Sequence, residues 1–564
     1  MIAATCAGFP STRRTIDRAR EPLRTEHVIS LIQHPAAPVD SRTGHLQRSP
    51  LPRSALHRAV LWTPGLLALL VGLWGIRRQD TLWGDEAVTY AMAHRSVPRI
   101  WHTLAHVDVV HGLYYLIMQG VFGLWDGGLV ALRLPSVLAV AAATVGIVRL
   151  GQRLGGTWTG LLAGLVFPLL PPVQRYAQEG RSYALVCALI TWGSCLLVGN
   201  LSRPKEQGRT GGRGRTGGRG RAEGRGRAEG RGRAEGRGRA EGHVRGWAAY
   251  GVVMLTACLL HELAVLILLA HGVTVFRARL ARPVTRAWAV AAGGVLTGLL
   301  PLAAFSTTQS AQVGWIGVPD SGEVLGFVAT ALLGVAFARF PGRVCGPITL
   351  PELALPLLIL PTALLMLTSP LHPLYVDRYV LASATGFALL TGSVLDRLRQ
   401  SAHDAGTARR VTCAVALLAV LAALVPVSTA LRKPGSREND AFAIARAVQG
   451  IAEPGDGLLF MPSRRRVWTL ARPDSFRSLA DLALERTPVA SDTLFGRELP
   501  PGRIRARILT RARIVAVRDL EGQPLEVNTR EAVKRATLDA YFEECANRTV
   551  TQARITVYAR PGHC

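Results

Sequence analysis

The chain has 564 residues, of which 49% are apolar and 18% are charged, whereas an average soluble domain has about 25% charged residues. Its mean hydropathy is +0.23. These values exclude an ordinary soluble enzyme. Several uncharged runs of about 17 to 23 residues are long enough to cross a hydrocarbon core of about 30 Å. We therefore predict an α-helical polytopic membrane protein.

The apolar runs predict about eleven transmembrane helices. They lie near residues 59–76, 132–150, 157–173, 183–200, 247–260, 262–276, 287–305, 323–340, 347–368, 380–396 and 411–430. Residues 1–58 are rich in Arg, Pro, Ser and His and contain no run of signal-peptide length. We expect this segment to be a disordered cytoplasmic tail, followed by a membrane-spanning domain over 59–430.

The apolar run at 112–125 leaves two topologies open, because it is short and contains Gly120 and Gly123. If it spans the membrane, the basic loops face outward, against the positive-inside bias. If it lies flat at the interface, they face the cytoplasm with the tail, and we favour this topology. The loops in question are 201–246, 277–286 and 397–410. The loops that then face outward are 77–131, 174–182, 306–322 and 369–379, with everything after about residue 431.

The net charge of +28 is concentrated in part in the loop at 201–246, which repeats the hexad Arg-Ala-Glu-Gly-Arg-Gly over 221–238. Such a composition cannot bury a core, so we predict a disordered cytoplasmic loop. Arg clusters attract RNA and anionic lipid headgroups. No aromatic residues stand between the Arg-Gly units, which disfavours nucleic-acid binding and favours a solvated linker.

Residues 431–564 change in character and predict a small extracytoplasmic α/β domain. Helices are expected near 440–450 and 531–542, and strands near 457–461, 513–517 and 554–558. Cys545 and Cys564 are the two cysteines that both fall on the outer side. A disulfide between them would contribute roughly 3 kcal/mol in the chain-entropy model, and both the bonded and the free state remain open at this stage.

The first outer loop contains two adjacent carboxylates, Asp85 and Glu86, just after the first span. A solvated loop end whose acidic residue favours a helix N-terminus is the simplest interpretation. Asp108, His111 and Tyr114 follow in the same loop, after an apolar stripe that favours a helix lying on the membrane. Aromatic belts explain tyrosines at an interface, but they do not explain the acid and the imidazole.

These segments resemble the membrane-embedded glycosyltransferases of the GT-C superfamily, specifically the protein mannosyltransferase (family 39) group with its Rgt-like bacterial members. The resemblance covers about residues 75–400, and Gly112 stands where many relatives carry proline. The matching segments are 83–87, 111–115, 133–136, 177–183, 312–316 and 378–379.

The resemblance implies a GT-C-like fold and the transfer of a sugar, with inversion, from a polyprenyl-phosphate donor to an acceptor hydroxyl at the outer face. Asp85 is similar to the family's catalytic base, and we expect Glu86 beside it to be the second catalytic residue of this acidic motif. Arg181 and Arg378 are the candidates for binding the donor phosphate, because guanidinium groups meet phosphate with paired hydrogen bonds. Arg133 is similar to an arginine that supports the acidic motif.

Further candidates for supporting or acceptor-side roles lie on the same side of the membrane: Asp108, His111, Tyr114, Glu179 and His261. Two histidines and several carboxylates could in principle bind a metal ion. The acidic loop has no Asp-x-Asp sequence, however, and relatives with the Asp-Glu pattern resemble metal-independent enzymes. We therefore expect no metal and no other cofactor.

The leading hypothesis is a multi-pass cell-membrane enzyme that transfers mannose to an acceptor glycan or protein of the cell envelope. A transporter or lipid flippase would also need many spans, but transporters place polar residues near the bilayer midplane. Here the ionisable residues cluster at the outer rim. An inactive relative that acts as a scaffold through its outer domain is the third possibility.

Overall fold

The computed structural model describes residues 53–202, 244–340 and 347–564, apart from the single residues 405, 438, 471 and 524. Most of the predicted cytoplasmic tail and of the predicted disordered loop lie outside the described residues. The predictions for those two segments therefore stand as predictions.

The described part of the membrane domain is helical throughout. Its helices are α1 (Arg53–Leu73), α2 (Gly84–Ala93), α3 (Val97–Leu104), α4 (Gly112–Leu124), α5 (Leu129–Gly155), α6 (Thr157–Val166), α7 (Pro171–Ala177), α8 (Tyr183–Leu201), α9 (Val244–Leu260), α10 (Leu266–Arg277), α11 (Arg282–Thr307), α12 (Ser321–Ala338), α13 (Leu350–Thr368), α14 (Ser383–Asp404) and α15 (Thr407–Ala430).

Six of the described helices are long and apolar enough to cross a membrane: α5, α8, α11, α12, α13 and α15. The protein is therefore a multi-pass membrane protein. Other predicted spans are shorter or more charged in the structure. The helix α6 gives way to a 3-10 turn at Phe167–Leu169 that contains Pro168, and α14 carries Asp396, Arg397 and Arg399 within its length. The number of eleven spans remains a prediction.

The helix α5 lies at the centre of the bundle and packs against α1, α6 and α8, while α14 packs against α6 and α13. Small residues allow these close contacts. A Cβ atom on Gly160 would come within 2.4 Å of the carbonyl oxygen of Val148, and one on Gly392 within 2.5 Å of the backbone nitrogen of Ala163. In contrast, α15 has no buried residue, as expected of a helix that faces lipid.

The residues after α15 form a three-layer α/β region. It contains α16 (Ala441–Gln449), α17 (Pro501–Leu509) and α18 (Thr529–Tyr541), with strands β1 (Gly457–Met461), β2 (Ala480–Asp481), β3 (Leu484–Arg486), β4 (Arg497–Glu498), β5 (Arg513–Arg518), β6 (Glu543–Val550) and β7 (Ala553–Ala559). The main sheet has the order β2-β1-β5-β7-β6. The strand β1 is parallel to β2 and β5, and β7 is antiparallel to β5 and β6.

Both faces of this sheet are covered, which explains why β1 and the middle of β5 are apolar at every position. On one face, Ile444 of α16 belongs to the same hydrophobic cluster as Phe460 and Val515. On the other face, Ile508 of α17 and Leu538 of α18 complete a second cluster. A disulfide joins Cys545 to Cys564 across 19 residues, with a Cα–Cα distance of 5.3 Å. The predicted α/β class is confirmed.

Candidate active site

Glu86 is the centre of a fully buried ionic cluster. Arg133 donates from Nε to Oε1 and from Nη2 to Oε2, both at 2.7 Å. Arg78 donates to Oε2 at 2.5 Å, and the backbone N–H of Gly180 donates to Oε1 at 3.0 Å. The side chains of Glu86, Arg78 and Arg133 are all shielded from solvent. This carboxylate has no oxygen free for a substrate.

The charges around Glu86 decide its protonation state. Burial alone would favour the neutral acid, but Arg133 and Arg78 more than compensate and lower the pKa of Glu86 to about 2. Arg133 also donates to the carbonyl oxygens of Ile76 and Thr81, at 2.7 and 2.6 Å. The cluster thereby fixes the loop between α1 and α2, which leads directly into the acidic motif.

Asp85 has a very different environment although it is the adjacent residue. Its side chain remains 36% exposed, and its nearest cationic group is Nη2 of Arg378, at 4.0 Å from Oδ2. The two residues point in different directions because they occupy successive positions in the first turn of α2, about 100° apart around the helix axis. Asp85 therefore presents a carboxylate to the outside of the cluster.

Arg378 belongs to the 3-10 turn Asp377–Val380. Its side chain is surrounded by aromatic rings. Its guanidinium carbon is 5.1 Å from the ring centre of Trp315, 5.6 Å from Tyr379, 5.8 Å from Trp83 and 5.9 Å from Tyr183. Its Nε atom is buried, and no partner for it stands among the described residues. The rings hold the cation in place and leave hydrogen-bonding capacity for an anion.

A second buried arginine, Arg181, stands at the start of a polar chain. Its Nη1 donates to the hydroxyl of Tyr115 at 3.3 Å, and that hydroxyl donates to Asp108. Burial raises the pKa of Asp108, although Arg181 and the Tyr115 hydrogen bond oppose the shift. Gln312 accepts a hydrogen bond from the Asp108 backbone at 3.1 Å, so the 312–316 motif supports this turn.

Two histidines, His111 and His261, lie beside these arginines and are here called the inner wall of the site. The ring centroid of His111 is 6.4 Å from that of His261, which in turn is 4.5 Å from Tyr379. Burial and the nearby Arg181 and Arg378 lower the pKa of His111 well below its ordinary value. Burial, His111 and the same arginines lower the pKa of His261 to about 3. Both imidazoles are therefore neutral at physiological pH.

The remaining predicted residues lie behind this wall. The hydroxyl of Tyr114 is buried without a partner among the described residues, and burial raises its pKa. Glu179 is buried beside Arg437, with 3.6 Å between Oε2 and Nε. Burial raises the pKa of Glu179 to about 7, although Arg437 opposes the shift. The backbone carbonyl of Glu179 accepts from Ser136 at 2.6 Å.

The structure thus brings the predicted residues into two adjoining layers. The Glu86 layer contains Arg133. It also contains the segment of Glu179, because the N–H of the next residue, Gly180, donates to Glu86. The open layer contains Asp85, Asp108, His111, Arg181, His261 and Arg378. Sequence reasoning missed Arg78 and Arg437. Arg78 follows the first span directly, which was the one available signal, whereas nothing near Arg437 in the sequence indicates a contact with Glu179.

No group of three or more His, Cys, Asp or Glu side chains that could hold a metal ion occurs within the described ranges. His111 has Asp108 at 3.8 Å, but no third ligand of this kind joins them. Metal independence stays a prediction, because only a measurement of activity tests it.

Among known proteins, similarity to this chain was found only with solved structures. No protein-family model and no curated protein matches the sequence. ArnT from Cupriavidus metallidurans in its apo state matches with a TM-score of 0.50 and 12% identity, over 89% of this chain and 98% of ArnT. ArnT bound to undecaprenyl phosphate gives a TM-score of 0.47 and 11% identity, over 89% and 98%.

The apo oligosaccharyltransferase of Archaeoglobus fulgidus gives a TM-score of 0.44 and 10% identity, over 83% of this chain and 70% of that one. At such identities a likeness concerns the fold. Apo ArnT, a GT-C protein, is matched over almost its whole length. The chain therefore shares the fold of apo ArnT, and this is the GT-C-like fold that the motifs of the outer loops predicted.

Proposed function

We propose that this protein transfers a sugar from a polyprenyl-phosphate donor to an acceptor hydroxyl at the outer face of the membrane, with inversion at the anomeric carbon. The acceptor oxygen forms the new bond to that carbon while its proton passes to Asp85. The bond from the anomeric carbon to the phosphate oxygen breaks, and the polyprenyl phosphate leaves with the bonding electrons.

The observation that carries this proposal is the contrast between two adjacent carboxylates. Glu86 is saturated by two arginines and a backbone N–H, whereas Asp85 is partly exposed and faces Arg378 at 4.0 Å. A general base needs an accessible oxygen that can accept a proton. Asp85 meets this requirement, and Glu86 fits a role in positioning α2.

The charge of the donor phosphate requires cations with unused donors, and the open layer that contains Asp85 has two. Arg378 and Arg181 each have a buried Nε atom with no partner among the described residues. Because a phosphate is already a good leaving group, stabilisation of its charge replaces the second carboxylic acid that glycoside hydrolases use. Undecaprenyl phosphate is the ligand in one ArnT structure, which makes a lipid phosphate the first donor type to test.

We propose that His111 and His261 bind the acceptor sugar or hydroxyl. His111 and His261 can donate and accept hydrogen bonds without charge, and sugar hydroxyls need both. Asp108 lies beside His111, with 3.8 Å between the carboxylate and the imidazole. We propose mannose as the sugar and a metal-independent reaction, on the strength of the motif resemblance described above.

The test is sugar transfer from radiolabelled polyprenyl-phosphate mannose in membranes that contain the protein, with a chelator present. Asp85→Asn should reduce transfer by about 10²- to 10⁴-fold, the range for loss of a general base. Asp80→Asn is the matched control, since Asp80 lies in the same loop and pairs with Arg77 at the surface, where both side chains are more than half exposed.

Each outcome decides a separate part of the proposal. Equal transfer by wild type and Asp85→Asn would remove Asp85 from the mechanism. Loss of transfer with the chelator alone would overturn metal independence. If the wild type transfers another sugar from the same lipid but not mannose, only the choice of sugar is wrong, and if it transfers none, transport assays with the same lipid become the next test.

A further inference from the structure

Residues 431–437 and 439–441, here called the connecting strap, lead from α15 into the start of α16 and cross the loop that leads into Asp85. The loop and the strap are far apart in sequence but share three hydrogen bonds. Asn439 accepts from the N–H of Gly84 at 2.7 Å, and Asp440 accepts from the N–H of Leu82 at 3.1 Å. The N–H of Ala441 donates to the carbonyl of Leu82 at 2.7 Å.

The hydrogen bond to Gly84 takes the place of a helix cap. The first N–H groups of any helix lack partners inside it, and a side chain at the N-cap position usually supplies one. The N-cap residue of α2 is Trp83, which makes no such hydrogen bond. Asn439 supplies the missing oxygen to Gly84, the residue that directly precedes Asp85.

The strap itself is anchored by two buried arginines. Arg432 donates to the carbonyl oxygens of Trp74 and Val71, at 3.0 and 2.9 Å, and to the side chain of Gln174 at 2.8 Å. Arg437 donates to the carbonyl of Arg175 at 2.6 Å. These contacts fix the strap to the end of α1 and to α7, so Asn439 is held by its own segment and not by Gly84 alone.

The structure assigns the strap a positioning role: we propose that Asn439 and Asp440 hold the backbone that presents Asp85, so that the C-terminal α/β region completes the active site without contacting substrate. The expected effect on catalysis rests on the proposed function. The claim that the strap holds the backbone of residues 82–86 does not. Both claims are tested on the full chain.

The test compares two substitutions at one position. Asn439→Leu keeps a side chain that branches at Cγ and removes the accepting oxygen, whereas Asn439→Asp keeps an oxygen in place. Asp492→Asn is the matched control, because Asp492 makes a peripheral contact with Arg99 at 3.4 Å in which Arg99 is half exposed. Hydrogen exchange of the peptide that covers residues 82–86 reports directly on the backbone, and transfer kinetics report on its use.

For Asn439→Leu we expect faster exchange at 82–86 by about tenfold or more. Its kcat should fall by about 10- to 100-fold, because small misplacements of a catalytic group have effects of this size, while the donor KM and the Tm stay close to wild type. Asn439→Asp should restore both readouts, and Asp492→Asn should change neither.

Unchanged exchange at 82–86 in Asn439→Leu would overturn the proposal whatever the activity. So would faster exchange with normal kcat, or an Asn439→Asp variant as impaired as Asn439→Leu. The failure of the proposed function has another signature, namely full transfer by Asp85→Asn, and exchange in the Asn439 variants would still decide whether the strap holds this loop.

Discussion

Two buried ionic networks of the molecule can be compared, one in the outer loop and one in the C-terminal α/β region. In the second, Lys534 donates to Glu498 and Glu531 at 2.8 Å each and to the carbonyl of Phe460 at 2.9 Å. All three of its protons are therefore used. Arg466 adds hydrogen bonds to Glu498 and Asp481.

In the outer-loop network both oxygens of Glu86 are bound, although Nε and Nη1 of Arg78 have no partner among the described residues, and the other half of this network is open. Arg378 approaches the Asp85 carboxylate only to 4.0 Å, and Arg378 and Arg181 each keep a buried Nε atom without a partner in the described part of the chain. Buried polar groups are normally paired. Unpaired buried atoms alone do not distinguish the networks, because Arg78 and Glu531 also have them. The open half differs in that its unpaired donors accompany an accessible acid, and we expect a ligand to complete such a site.

The strongest test of this distinction is Glu86→Gln. Removal of one partner from a buried ion pair typically costs about 3–5 kcal/mol, and here two arginines would lose their common carboxylate. We expect a large fall in Tm and in the yield of folded protein. Asp85→Asn, at the adjacent position, should leave Tm unchanged. Equal Tm values for the two variants would contradict the division into a half around Glu86 and an open half.

Lys534→Met should produce the next largest change. Methionine fits the space of the lysine stem, but Glu531 then loses its cation while Glu498 keeps Arg466. We expect about 3 kcal/mol of destabilisation, at the low end for a broken buried pair, measured as the free energy of unfolding of the α/β region. Transfer per folded molecule should be unchanged, and a selective loss of activity would place this network in the site.

Arg378→Lys tests the open half. Lysine keeps the charge but loses the planar fork that binds a phosphate through two hydrogen bonds. We expect the donor KM to rise about 10- to 100-fold, which corresponds to about 1.4–2.7 kcal/mol, with little change in Tm. Arg77→Lys is the control, because Arg77 is exposed. A fall in Tm with unchanged KM would make Arg378 a structural residue.

The smallest effect concerns Glu179. Its pKa is raised from 4.5 to about 7 by burial, so the folded state binds the proton more tightly than the unfolded state does. This contribution to stability is full below pH 4.5 and is lost as pH rises through about 7. Glutamine cannot ionise. The Tm of Glu179→Gln minus the Tm of the wild type should therefore increase as pH rises from about 5 to 8. Parallel pH profiles would show that the pKa of Glu179 is not raised in the folded state.

Much of the α/β region could be predicted from local patterns. The strand β1 coincides with its predicted range, β5 differs by one residue at one end, and α16 and β7 differ by one residue at each end, because apolar periodicity is strong there. The strand β6 was missed. It is an edge strand of mostly exposed polar residues, and it forms because β7 offers hydrogen bonds to it, which its own sequence does not show.

The site was predictable as a set of residues but not as two layers. The motifs pointed to Asp85, Arg133, Arg181 and Arg378, and the structure brings all four to the same end of the helices. The sequence could not divide the roles of Asp85 and Glu86, because adjacent acids have the same intrinsic chemistry. Their difference arises from arginines that reach Glu86 from elsewhere in the chain.

The hydrogen bond between Gly84 and Asn439 joins residues 355 positions apart, which has a consequence for biogenesis. At about 5–20 residues per second, a ribosome needs roughly 20 to 70 s to make the chain between them. During that interval the first spans can enter the membrane while the acidic loop still lacks its distant partner. The loop acquires its final conformation only when the later segment arrives, so the nascent chain passes through insertion while the backbone beside Asp85 still lacks this hydrogen bond.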